Sequence, residues 1–192
     1  LLLSPVSVLG PASVAANPIG NTMATFQCVP GNALGLAMVT VVSRCMGAGS
    51  YTKARYYTKK LLVKTYLYMA LTIALSLVLL PLVLQLYSVS PEATDYARTI
   101  IWMHGVMGAL LWPAAFTLPQ ALRAAGATRF TLVVSSVSMW TMRVGFGVLL
   151  GRYWGFGVLG IWMAMFIDWL VRILFFAPRF RGHKWESMGL RD

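Results

Sequence analysis

Residues 1–43, 65–91 and 99–122 contain no Asp, Glu, Lys or Arg. A helix needs about 20 mainly apolar residues to cross the hydrocarbon core of a bilayer, and each of these stretches is longer. A soluble domain has about a quarter of its residues charged, whereas here the share is 11%, with 58% hydrophobic residues and a mean hydropathy of +0.71. The chain can supply several membrane spans and little else. The expected class is all-α integral membrane.

Five spans can be read along the chain, at about 12–46, 61–87, 94–124, 130–150 and 158–178. They divide it into an external connector (1–11), a transmembrane five-helix segment (12–178) and a basic cytoplasmic tail (179–192). Pro18 and Pro30 predict kinks in the first span, and Pro113 and Pro119 interrupt the third. Neighbouring helices or water must re-satisfy the carbonyls that such prolines free. Ser90, followed by Pro91 and Glu92, reads as a helix start. The chain opens on Leu1 without a basic leader, so no signal peptide is expected, and a missing upstream part is.

The formal charge of +11 could suggest nucleic acid, but its placement argues otherwise. Twelve of the 16 cations fall in segments 44–64, 123–129 and 179–192, while 89–98 and 152–154 hold only Arg98 and Arg152. Alternate connections are rich and poor in Lys and Arg, the positive-inside pattern. That orients the basic connections and the tail toward the cytoplasm of a cell inner or plasma membrane. The expected partner is the lipid bilayer, with no nucleic acid. KARYYTKK reads as a loop facing anionic headgroups. Cys28 and Cys45 lie about 25 Å apart on one straight helix, so they form no disulfide, and they make no metal motif.

Three groups could carry chemistry. On the first helix Asn17, Asn21, Thr25, Cys28, Asn32 and Gly35 fall within about 80° of one another at 100° per residue. Such a polar stripe should face protein or a water-filled cavity, either lining a substrate path or bonding to neighbouring helices. Gln27 lies off it and reads as an isolated packing contact. Asp168 and Arg172, spaced i, i+4, can pair, and Arg143 lies within about 7 Å of Asp168 in depth, which makes a buried triad feasible. Asp168 could be a proton or cation site. Two arginines beside one carboxylate favour a structural ion pair over a titrating carrier. The third group is His104, a lone histidine on an apolar helix that reads as a core donor, with no metal ligands at suitable spacing.

The string PGNALGLAMVTVVSRCMGAGSYTKARYYTKK resembles a helix-and-loop segment of multidrug and toxic compound extrusion (MATE) transporters. LPQALRAAGATRFT is similar to that family's third-from-last helix end, and GFGVLGIWMAMFIDWLVRILFFAPRFRGHKW to its last helix and tail. The resemblance implies twelve helices in two six-helix lobes, with efflux of drugs or toxins coupled to a proton or sodium gradient and no cofactor. This chain would form most of the second lobe, and the N-terminal lobe would be its partner. Some branches carry cation-site carboxylates in the second lobe, yet the first four spans here have no acid in their central parts. Coupling residues then lie in the missing lobe, or Asp168 contributes. Two alternatives stay open: a lipid-linked saccharide flippase of the same superfamily, for which a more basic cavity is expected, and a non-transporting membrane subunit. No catalytic cluster marks an enzyme.

Overall fold

The computed structural model describes residues 11–87, 89–182 and 185. Five helices are long and apolar enough to cross a bilayer: α1 (Pro11–Gly47), α2 (Tyr51–Leu86), α3 (Pro91–Ala124), α4 (Thr128–Tyr153) and α5 (Gly157–Arg181). The connections between them are only a few residues long, so sequential helices run antiparallel. Basic residues of the α1–α2 and α3–α4 turns therefore gather at one end with Arg179 and Arg181, the C-terminal end of α5. Glu92, Asp95, Arg98 and Arg152 lie at the other.

Both basic-end turns use the same backbone device. Gly49 (φ +65°) and Gly126 (φ +91°) adopt the left-handed conformation that glycine tolerates best. Each turn is closed by a long backbone bond, from Ser50 N–H to Cys45 O at 2.9 Å and from Ala127 N–H to Leu122 O at 2.9 Å. α3 begins as expected: Ser90 Oγ accepts from Ala93 N–H at 3.3 Å, with Pro91 in the first turn. Helix α1 runs unbroken across Pro18 and Pro30. In α3 the chain widens to a π-helical turn over Pro113–Thr117, where Leu118 N–H bonds back to Pro113 O. α4 widens similarly over Met139–Phe146 and Leu149–Tyr153.

Two expected boundaries move. KARYYTKK is not a loop; it forms the first turns of α2, which starts at Tyr51. Alanine, lysine and arginine are good helix formers, and no glycine or proline interrupts residues 51–80. Helix α5 likewise runs through Arg181, the first part of the expected tail. The connector 1–10 and most of the remaining tail lie outside the described residues. At the basic end Arg55 of α2 donates to the carbonyls of Arg181 (3.3 Å) and Gly182 (3.2 Å), capping α5 from a neighbouring helix. Its guanidinium lies 5.6 Å from the ring centres of both Phe180 and Trp185.

The core is layered along the bundle. Ile19, Met23, Leu80, Leu84 and Ile101 pack at the less basic end; Met69, Ile73, Trp112, Trp162 and Trp169 fill the middle; Met38, Val42, Leu118, Leu122 and Phe176 pack at the basic end. α1 packs most broadly on α2 and α3, while α5 lies against α3 and α4. Close approach of α4 and α5 depends on Gly160, where an added Cβ would fall 2.7 Å from the Leu150 carbonyl carbon. Helix α4 is the most open of the five and α5 the most enclosed.

Candidate functional site

The polar stripe of α1 straddles the edge of the helix's buried face. Asn17, Cys28 and Gly35 lie within about 20° of each other and are buried, whereas Asn21, Thr25 and Asn32 are rotated about 40–80° further round and are exposed. Asn17 Oδ1 accepts from Trp162 Nε1 of α5 at 3.3 Å. Thr25 satisfies itself locally, its hydroxyl donating to Asn21 O at 2.8 Å. The side chains of Asn21 and Asn32 are thus presented outward from the bundle. Both cysteines are free, Cys28 in the central core and Cys45 half-buried.

Gln27 is no isolated contact. It is fully buried and is the hub of a network across three helices. Its Nε2 donates to Ser76 Oγ of α2 at 2.8 Å, and its Oε1 lies 2.7 Å from His104 Nδ1 of α3. Because that amide oxygen can only accept, His104 Nδ1 carries the shared proton. Ser76 Oγ passes the chain on to Ile73 O at 2.8 Å. Trp162 and Trp169 of α5 stand edge-on to the imidazole, with ring centres 5.8 and 5.6 Å away. His104 of α3 is therefore a buried donor held by groups on α1 and α5.

A second, charged centre joins α4 to α5. Asp168 is fully buried; its Oδ1 accepts from Arg172 Nε at 3.0 Å and from Ser138 Oγ. Arg172 also donates through Nη2 to Ser135 O at 3.3 Å, and its guanidinium lies 5.0 Å from the Phe116 ring centre. Asp168 Oδ2 and Ser135 Oγ have no hydrogen-bond partner among the described residues. Arg143 is at the right depth, but its Nη2 donates to Met165 Sδ at 3.2 Å rather than to the carboxylate. It lies within the widened turn Met139–Phe146, where side chains no longer follow the angular register of a regular α-helix. The geometry therefore gives a pair with a serine, flanked by Arg143, in place of a closed triad.

Among the described residues no group of three or more His, Cys, Asp or Glu could hold a metal ion. What the arrangement offers is two rigid polar staples and one outward-facing amide flank.

The chain's residues 2–149 match the family model MatE. The chain belongs to the MatE family. Among its relatives it is 22% identical over 181 residues to the "Probable multidrug resistance protein NorM" of Thermotoga maritima, covering 94% of this chain and 39% of that protein. It is 27% identical over 165 residues to the protein of the same name from Neisseria meningitidis serogroup A, covering 83% and 35% respectively. The fold matches a solved structure titled "Crystal structure of eukaryotic MATE transporter AtDTX14" with a TM-score of 0.80, at 16% identity, over 92% of this chain and 39% of that one. The MatE-family chain thus spans about two fifths of the length of the relatives it matches. The expected membrane bundle and family are both borne out.

Proposed function

We propose that this chain is part of a secondary-active exporter that exchanges organic, often cationic, compounds for protons or sodium ions. Seven further helices, including a complete N-terminal lobe, would close the transport cavity. The observation that carries this reading is the α1 flank: in a MatE-family bundle, Asn21 and Asn32 face outward from these five helices, and polar side chains do not belong against lipid. A cavity shared with a second lobe gives them a polar surrounding, and alternation of the two lobes would carry a bound compound across. The names of relatives as probable multidrug resistance proteins support the same reading. The positive-inside rule supports a basic end, and with it a C-terminus, on the cytoplasmic side of a cell inner or plasma membrane.

The test is efflux of ethidium from vesicles holding the full-length protein, under an imposed proton gradient and then a sodium gradient. Efflux driven by one of the gradients, and lost in the Asn21→Ala, Asn32→Ala double variant, is expected. A folded full-length protein that moves no organic cation under either gradient contradicts the reading. Movement of a lipid-linked saccharide instead would favour a flippase. The 192-residue chain alone is expected to move nothing, because the cavity would lack its other wall.

A further inference from the structure

The five helices leave a second exposed face whose chemistry differs from the asparagine flank. On α2, Lys53, Lys60 and Lys64 lie on the same side as Leu71, Leu75 and Val78, all six within about 60° of one another. The lysines are exposed, and the three apolar side chains are 66%, 51% and 75% exposed. The face is therefore cationic for its first turns and aliphatic beyond.

Lengths set where the change falls. From Lys64 to the end of α2 at Leu86 is about 33 Å at 1.5 Å per residue, close to the roughly 30 Å of a hydrocarbon core. Lys64 thus marks the boundary, with Lys60 about 6 Å and Lys53 about 16 Å further out. Helical side chains lean toward the N-terminus, which here carries the ammonium groups away from the acyl region toward the headgroups. Lys60 and Lys64, spaced i, i+4, can straddle one phosphate. Lys60 Nζ also lies 5.6 Å from the Tyr56 ring centre, which steadies its direction. Among the described residues no carboxylate pairs with any of the three lysines: Asp168 is buried with Arg172, and Asp95 pairs with Arg98 near the opposite end.

We propose that this face of α2 is a docking site for an acidic phospholipid, with its phosphate between Lys60 and Lys64 and its acyl chains along Leu71, Leu75 and Val78. The aliphatic half selects a lipid over a soluble phosphate, and the cationic half selects an acidic headgroup over a zwitterionic one. The inference rests on the membrane fold and is independent of the export reading.

The experiment counts lipids retained by the full-length protein in native mass spectrometry after titration with phosphatidylglycerol or phosphatidylcholine. Wild type is expected to retain phosphatidylglycerol preferentially. The K53Q/K60Q/K64Q variant is expected to bind it about twenty-five-fold more weakly, at roughly fivefold for each of Lys60 and Lys64, with its melting temperature in detergent micelles unchanged. The control variant R44Q/R129Q, altered at two exposed positions of the same end, is expected to keep the preference. Unchanged retention by the triple variant, an equal loss in the control, or displacement of the lipid by millimolar inorganic phosphate would each overturn the proposal.

Discussion

The two buried polar centres hold the bundle by different means. Gln27, Ser76 and His104 join α1, α2 and α3 through neutral groups, with both polar atoms of the glutamine amide partnered. Asp168, Ser138 and Arg172 join α4 to α5 through charge, and both hydrogen bonds fall on a single carboxylate oxygen. Charge-assisted bonds are roughly twice as strong as neutral ones, but an ion left alone in an apolar interior is far more expensive than an orphaned amide. The charged centre should therefore be the more fragile to single changes, and the neutral one the more tolerant. Each half of the chain thus has its own staple, and they fail differently.

The largest effect tests this asymmetry. Asp168→Ala leaves Arg172 buried without its counter-charge and should lower stability by about 3–5 kcal/mol, read as a fall in unfolding temperature in detergent. Arg172→Met added to it should restore most of the loss. Persistence of the full loss in the double variant would mean that the carboxylate acts through something other than the pair. Next, His104→Leu or Gln27→Leu alone should each lose about 1–3 kcal/mol by orphaning a buried partner, and the two together less than the sum. A single neutral change as damaging as Asp168→Ala would break the comparison.

Smaller effects sharpen its borders. Arg143→Met should change stability by no more than about 1 kcal/mol, the scale of one ordinary hydrogen bond, because its bond goes to Met165 and not to Asp168. A loss on the scale of the Asp168 variant would restore Arg143 to the charged centre. Asn21→Ala and Asn32→Ala should move stability within about 0.5 kcal/mol, since both side chains are exposed. A large loss there would make the α1 flank a packing surface.

The charged centre is legible in the sequence, and of the neutral one only the donor His104 is, for a physical reason. Asp168 and Arg172 stand out because charges inside a span are rare and their i, i+4 spacing is local. Ser138, which completes their site, comes from another helix and carries no such mark. Gln27 lies off the stripe of Asn17, Asn21, Thr25 and Asn32 by its angle on α1, and that same angle points it into the core toward Ser76 and His104. Pairing those three residues requires the packing of three helices, which periodicity along one chain does not contain. The five spans, by contrast, follow from charge-free length alone, and the Ser90–Pro91 start from local capping chemistry. Helix α2 starts ahead of its apolar span because hydropathy marks where lipid begins, while helix propensity and the Gly49 turn mark where the helix does. Arg143 shows the same limit: its depth could be counted from sequence, but the widened turn that redirects it could not.

We propose that Asp168 is a structural clamp between α4 and α5 and not a group that binds and releases a coupling ion. The direct test is Asp168→Asn in the full-length protein, with folded yield and gradient-driven ethidium efflux per folded molecule measured on the same preparation. A clamp predicts reduced folded yield and retained efflux per folded molecule. Normal yield with abolished efflux would contradict it and place Asp168 in the coupling path.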